Sequence, residues 1–144
     1  MKNTKECTID LNISAHIPES YIEALPARLG IYKRIADIED DSDVSDIIDE
    51  LCDRFGEPPK SVMGLMDIAL LRNKACLLGI YEITGTPSSV ILHTEALNEE
   101  AVAKLTEGFE GRFTVTFKDK PQYVIRLKAG EKASKIVAEL VKIL

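Results

Sequence analysis

The stretch 45–80 constrains the fold most, because an amphipathic helix is followed there by a helix that is apolar on most of its circumference. Glycine and two prolines in the corner 56–59 separate the two helices, since glycine suits the position after a helix and proline starts a helix more readily than it continues one. A helix that is apolar on most sides is usually buried on several sides. We therefore expect the second helix, about Lys60 to Leu78, to be the central helix of the core and to end at Gly79.

The residues before this helix pair predict a strand and a further helix. Polar and apolar residues alternate over Thr8–Ala15, which is typical of a half-buried strand. A helix is predicted over 21–40, with Pro26 in its first turn, where the missing N–H has little consequence. Ser42 or Asp43 is expected to cap the following helix. The apolar stripe predicted for helix 21–40 consists of Leu25, Leu29, Tyr32, Ile35 and Ile38.

The second half of the chain alternates hairpins with helices, which indicates an α+β fold rather than a parallel doubly wound one. We predict a single domain over residues 8–144, with residues 1–7 as a disordered lead. It has an N-terminal strand, a three-helix segment with a buried central helix, two β-hairpins with an intervening helix, and a C-terminal helix. The elements predicted after Gly79 are strands 80–84 and 90–94, a helix from Asn98 to about Phe109, strands 113–117 and 122–127, and a helix over 131–144.

Composition excludes several classes of protein. With 144 residues, of which 45% are apolar, the chain suits a folded domain with a real core. No apolar run approaches the roughly 20 residues of a membrane helix, and the N-terminus has no apolar signal region. Cys52 and Cys76 fall in helical patterns, where reduced, buried thiols are expected. We expect a cytoplasmic protein without a membrane partner.

Motifs for catalysis or cofactor binding are missing from the sequence. The chain lacks a phosphate-binding glycine loop and the cysteine spacing of a zinc site. His16 and His93 stand alone, without the partner motifs of a catalytic triad. We therefore predict no catalytic residue, no metal site and no cofactor.

Charge is unevenly distributed along the chain: residues 1–57 hold 14 acidic and 6 basic side chains, whereas residues 112–144 hold 3 and 8. The basic end combines Arg112, Arg126 and Lys128 with aromatic residues that could stack on nucleic-acid bases. These aromatic residues alternate out of phase with Arg112 and are expected to face the core. We therefore predict a solvated basic face without direct nucleic-acid contact. The aromatic residues are Phe113, Phe117 and Tyr123.

Four carboxylates share one side of the first helix of the pair. Asp46, Asp49, Glu50 and Asp53 are three or four residues apart, so they project from one helix face, which we name the acidic face. Such a face can simply be a solvated outer surface. It can also be a docking surface for arginines, which pair with carboxylates in bidentate geometry.

Three segments give the sequence a specific resemblance. They are residues 15–22 (AHIPESYI), 28–36 (RLGIYKRIA) and 50–59 (ELCDRFGEPP). Together they resemble the C-terminal (TRCF) domain of the bacterial transcription-repair coupling factors, the Mfd family. The pairs Leu71-Arg72 and Leu78-Gly79 fit the continuation of the family pattern. The second half of the chain matches the family in the order of its helices and strands more than in residue identity.

The resemblance implies a regulatory domain rather than an enzyme. In that family the full-length protein is an ATP-driven DNA translocase that removes stalled RNA polymerase and recruits UvrA, and the motor motifs are absent from this chain. The domain packs on the UvrB-like module of the same protein, which masks the UvrA-binding surface and restrains the motor. The carboxylates that dock in the family correspond to Glu50 and Asp53, with Asp46 and Asp49 beside them.

Arg54 is a further candidate for the docking face, although it can instead pair with Glu50 or Asp53. Two other functions stay open. One is a structural or protein-interaction domain whose acidic face binds another basic partner without an inhibitory role. The other is an enzyme, which would need a pocket with convergent polar groups.

Overall fold

The computed structural model describes residues 6–144, and within them it contains five helices and five strands in the predicted order. The α+β class is therefore confirmed. Of the expected lead 1–7, residues 1–5 lie outside the described residues, and Cys7 is buried. The elements are β1 (Thr8–Asp10), α1 (Leu25–Ala36), α2 (Asp41–Phe55), α3 (Lys60–Leu77), β2 (Ile80–Gly85), β3 (Ser89–Thr94), α4 (Glu99–Gly108), β4 (Phe113–Phe117), β5 (Pro121–Arg126) and α5 (Ala133–Ile143).

The chain forms two compact units, and the boundary between them falls within α3. Residues 13–70, the helical unit, contain α1, α2 and the first part of α3. The residues up to Asn12 together with 71–144, the sheet unit, contain all five strands, the end of α3, α4 and α5. The predicted burial of α3 is confirmed in both units by four side chains with no exposed surface. These are Val62 and Met66 in the helical unit and Leu71 and Ala75 in the sheet unit.

The sheet has the strand order β1-β2-β3-β5-β4. β1 runs parallel to β2, and the other neighbours are antiparallel. Along β3, Val90 and Leu92 are buried whereas Ile91 and His93 are only half-buried, as expected for a sheet with one covered face. The prediction that the aromatic residues face the core is wrong for Phe117, which is 67% exposed because it ends the edge strand β4.

The N-terminal strand is shorter than predicted, since it ends at Asp10 and not at Ala15. The alternation of half-buried and exposed residues nevertheless continues to Ser14, and Ile17 is buried. Within the helical unit, the His16 N–H donates to the Ser61 carbonyl over 3.1 Å. The alternation in burial thus agrees with the sequence pattern, but periodicity cannot tell whether such a segment pairs with a strand.

Helix α1 is shorter than the predicted helix 21–40, and its buried side differs. The Tyr21 N–H bonds to the carbonyl of Pro18 in a turn before the helix, which begins at Leu25 with a proline in its first turn. Leu25 and Leu29 belong to the predicted stripe but are 55% and 57% exposed. The buried positions follow Ile31, Ile35 and Ile38, which are spaced three and four residues apart.

The cap of α2 also differs from the prediction, because Asp40 takes the place expected for Ser42 or Asp43. The Asp40 carboxylate accepts a hydrogen bond from the Asp43 N–H over 3.0 Å, and the Asp43 carboxylate accepts from the N–H groups of Glu39 and Asp40. This reciprocal arrangement satisfies backbone donors that a helix start leaves unpaired. In α4, by contrast, Asn98 is the cap as predicted.

Gly64 lies where the segment 13–17 comes close to α3. A Cβ atom at this position would lie 2.8 Å from the Ser14 carbonyl oxygen, closer than real Cβ contacts come. A glycine inside a helix normally costs about 1 kcal/mol relative to alanine. Close contact between helix and segment therefore explains a residue that the helix alone would disfavour.

The substitution Gly64→Ala is expected to lower the free energy of unfolding, because the gain in helix propensity is outweighed by the clash with the Ser14 carbonyl. Urea denaturation followed by circular dichroism measures this change. Gly30→Ala in α1 is the matched control, since a Cβ there meets nothing within 4 Å. This control should raise the free energy of unfolding by roughly 0.5–1 kcal/mol. A stabilising Gly64→Ala would contradict the close approach.

Candidate docking surface

Helix α2 presents the acidic face because its two sides differ sharply in polarity. Ile47 and Leu51 are buried on one side. Asp46, Asp49 and Asp53 are exposed on the other. The sequence therefore predicted correctly that these carboxylates are accessible from solvent.

The C-terminal end of α2 is held in place by Tyr21. Its hydroxyl donates to the Gly56 carbonyl over 2.6 Å, and its ring lies 6.0 Å from the Phe55 ring. Gly56 has a φ of 85°, the left-handed backbone that ends the helix as predicted. Arg54 lies over the Phe55 ring at 4.8 Å, which restricts where its guanidinium can reach.

Glu50 is bound by two arginines of its own chain. One carboxylate oxygen is bonded to Arg34 from the last turn of α1, and the other accepts from Arg54 over 3.0 Å. The pairing of Arg54 with Glu50, one of the two roles left open for Arg54 by the sequence, is thus observed. The role of Arg34 was missed, because it lies on another helix and 16 residues away along the chain.

The two arginines lower the pKa of Glu50. The hydrogen bond from Arg34 contributes most, followed by the hydrogen bond from Arg54, and both favour the ionised carboxylate. Because the side chains of Arg34, Glu50 and Arg54 are 41%, 36% and 50% exposed, water screens this interaction. The network joins the end of α1 to the middle of α2.

The other three carboxylates of the acidic face differ from Glu50 in having no such partner. Within residues 6–144, Asp46, Asp49 and Asp53 form no salt bridge. The structure therefore places the predicted site residues together on one helix but divides them into two kinds. Glu50 and Arg54 bind each other, and the three aspartates face solvent.

In the described residues the three cysteines form no disulfide, but their burial departs from the prediction. Cys52, expected to be buried, is exposed, because it lies three residues after the exposed Asp49 on the same side of α2. Cys76 is half-buried, and Cys7 is buried. Burial, with a smaller contribution from Cys76, raises the pKa of the Cys7 thiol to about 12, which keeps it protonated and unreactive at neutral pH.

A shallow cavity of about 220 Å³ lies in the sheet unit, beside the turn between β4 and β5. In its wall, Nε2 of His93 is hydrogen-bonded to the Thr84 hydroxyl at 2.8 Å, and Nδ1 lies 3.4 Å from the side-chain nitrogen of Gln122. The cavity is lined by Tyr81, His93, Lys118, Asp119, Lys120 and Gln122.

A family model, curated relatives and a solved structure all match this chain, and all three concern transcription-repair coupling factors. The family model described as "TRCF domain" matches residues 11–105. The Transcription-repair-coupling factor of Staphylococcus aureus (strain USA300) is 34% identical over 107 residues, which is 71% of this chain and 9% of that protein. The protein of the same name from Mycobacterium bovis is 32% identical over 108 residues, again 9% of its length. The crystal structure of the C-terminal domain of a transcription-repair coupling factor superimposes with a TM-score of 0.80 at 19% identity, covering 95% of this chain and 89% of that one.

These findings define the chain first as a small α+β domain of the kind found in transcription-repair coupling factors. More particularly, the chain belongs to the TRCF domain family. It spans about a tenth of the length of the curated relatives that it matches. The resemblance read from segments 15–22, 28–36 and 50–59 is confirmed. In residues 6–144, no helix is long and apolar enough to cross a membrane.

The Glu50 network predicts a pH-dependent contribution to stability. Because the folded-state pKa of Glu50 is lowered, this contribution is present above the ordinary carboxyl range and is lost as the pH falls through the folded-state pKa. The difference in free energy of unfolding between the wild type and Glu50→Gln should therefore be largest near neutral pH and shrink in acid. Urea denaturation across the pH range measures it. In an Arg34→Gln background the pH-dependent part should be smaller, and an equal effect would contradict the pairing.

Proposed function

We propose that this chain is a non-catalytic regulatory domain that docks through the acidic face of α2 on the UvrB-like module of a transcription-repair coupling factor. Docking would mask UvrA binding and restrain a DNA-translocating motor until RNA polymerase is engaged. The observation that carries this proposal is the row of exposed carboxylates Asp46, Asp49 and Asp53, without salt-bridge partners in residues 6–144, on the helix that the TRCF family match includes.

The proposal assigns different tasks to the carboxylates of the acidic face. Asp53, with Asp46 and Asp49 beside it, would bind arginines of the partner directly, because exposed carboxylates can accept bidentate hydrogen bonds without first losing a partner. Glu50 would have to release or share Arg34 and Arg54 before it could bind another arginine. We therefore assign to Glu50 a positioning role, with any contact of its own to the partner being secondary.

A docking contact of this kind is suited to reversible regulation. Exposed ion pairs are individually weak, each contributing roughly 0.2–1 kcal/mol. When two surfaces belong to one polypeptide, the effective concentration is high enough for such a weak contact to hold. A partner that prefers the undocked state by only a few kcal/mol would then shift the equilibrium to the open form.

Binding of the chain to a separately produced UvrB-like module, taken from a transcription-repair coupling factor of the same organism, tests the contact. Replacing Asp46, Asp49 and Asp53 together by Asn should weaken binding about tenfold, because three exposed ion pairs are lost. The affinity of the wild type should also fall with salt. Isothermal titration calorimetry at low and moderate salt measures both effects.

The matched control replaces three exposed acidic residues of the same unit that lie off α2. The changes Glu19→Gln, Glu23→Gln and Glu57→Gln alter the net charge by the same amount. If binding depended only on general electrostatic attraction, both triple variants would therefore bind more weakly to the same extent. Equal losses in the two triple variants would overturn docking through the acidic face. Circular dichroism checks that both variants keep the fold.

The inhibitory role is tested separately in a full-length factor that carries this domain. If docking restrains the motor, the triple aspartate variant should raise the ATPase activity in the absence of polymerase, whereas the control triple should not. Unchanged ATPase activity together with lost docking would favour the alternative, an interaction domain without an inhibitory role.

A further inference from the structure

The strand β4 forms one edge of the sheet. Its partner is β5, and in the part of the chain that the structure describes no other strand pairs with it. An edge strand presents one row of backbone N–H and C=O groups to whatever lies beside the sheet. The phase of the β4–β5 pairing decides which residues supply that row.

The Arg126 N–H donates to the Arg112 carbonyl over 2.9 Å, immediately before β4 begins. Hydrogen-bonded pairs in an antiparallel ladder occur at every second residue. Thr114 and Thr116 therefore direct their backbone groups toward β5, where their partners in register are Val124 and Gln122. The backbone groups of the three alternate residues point away from the sheet. These residues are Phe113, Val115 and Phe117.

The outward-pointing backbone groups are open. Among residues 6–144, no hydrogen bond to the N–H or C=O of Phe113, Val115 or Phe117 is formed on the side away from β5. The strand itself, FTVTF, contains only residues with high β propensity and has no proline, glycine or charge. Natural edge strands are usually protected against pairing by a proline, by charged residues or by a bulge. The open edge of β4 lacks these devices within the strand.

We propose that the β4 edge accepts an extended segment of a partner protein as a further strand of the sheet, and that this segment carries a carboxylate opposite Lys118. Main-chain hydrogen bonds to Phe113, Val115 and Phe117 would supply the pairing, as in other cases of strand addition. The Phe117 side chain, 67% exposed at the end of the strand, would be covered by the same segment.

The cations around β4 determine the chemistry of this segment. Arg112 is bonded to Glu131, whose side chain is only 6% exposed, and Lys120 pairs with Glu95 over 2.8 Å. Lys118 follows β4 directly, is exposed, and has no salt bridge within the described residues. Arg126, on β5, donates to the Gly111 carbonyl over 3.0 Å. Lys118 is therefore the cation next to β4 that is available to an incoming carboxylate.

A second copy of this chain fits the edge poorly. Symmetric antiparallel pairing of two β4 strands about Val115 would place Phe113 opposite Phe117 of the other copy. It would also place Arg112 opposite Lys118 twice, and like charges directly opposite each other are destabilising. An acidic segment of another protein removes this repulsion and adds an attraction.

This proposal is independent of the docking of α2. The β4 edge belongs to the sheet unit, whereas the acidic face belongs to the helical unit. A variant at one surface leaves every residue named for the other unchanged, so the two proposals can fail separately.

The test uses the unaltered 144-residue chain labelled with ¹⁵N and a synthetic peptide, acetyl-Glu-Val-Thr-Val-Thr-Val-Glu-amide. Nuclear magnetic resonance titration should shift the amide signals of Phe113, Val115 and Phe117 more than those of Thr114 and Thr116. Amide hydrogen exchange at the three outward residues should become slower. A peptide N-methylated at each valine and threonine should leave all these signals unchanged, because its five central residues cannot donate main-chain hydrogen bonds and the methyl groups block close pairing with the strand.

Charge reversal provides the second measurement. Lys118→Glu should weaken binding of the glutamate-ended peptide about threefold and strengthen binding of a lysine-ended peptide by a similar factor, since one exposed ion pair is exchanged. Shifts confined to residues outside β4, or no shift up to about 1 mM peptide, would overturn the proposal. A monomer–dimer equilibrium in sedimentation that slows exchange at the same three amides would overturn it in favour of a second copy.

Discussion

Burial of α3 is the constraint on which the rest of the structure depends. A helix that is apolar on most of its circumference needs cover along its whole length, and α3 has side chains with no exposed surface near both ends, from Val62 to Ala75. Since the helix begins in one unit and ends in the other, each unit has to cover the part that it contains. In the helical unit the extended chain at Ser14 comes so near that only glycine fits at position 64. A residue that weakens the isolated helix therefore allows the helix to be covered.

Periodicity in the sequence was enough to predict the α+β class, the element order and the polar side of α2, because these follow from which side chains avoid water. Some errors concern contacts between distant residues, and others concern local choices that periodicity does not resolve. The alternation after Asp10 could not show that β1 ends there and that the following residues pair with no strand of the described chain. The cap at Asp40 competed with two neighbouring residues of equal capping ability, and burial of Cys52 was inferred from a helical pattern without knowing which side of the helix it occupies. The Arg34–Glu50 pair could not be predicted without the arrangement of α1 beside α2.

The acidic face shows how neighbouring carboxylates of similar chemistry acquire different properties. Glu50 is held by two arginines, which lower its pKa and fix its side chain. The aspartates on either side of it are exposed, and no arginine of the described chain forms a salt bridge with them. For a surface proposed to bind and release a partner, this division is useful. The fixed residue stabilises the shape of the surface, while the solvated residues can exchange water for an arginine at little cost.

The parallel pairing of β1 with β2 affects how the protein can fold during its synthesis. β1 ends at Asp10 and β2 begins at Ile80, so about 70 residues, including the whole helical unit, are made between the two strands. At roughly 5–20 residues per second, β1 waits several seconds on the ribosome before its partner emerges. The helical unit is continuous in sequence and can form its local contacts during that time, whereas the sheet can be completed only afterwards, by return of the N-terminal strand.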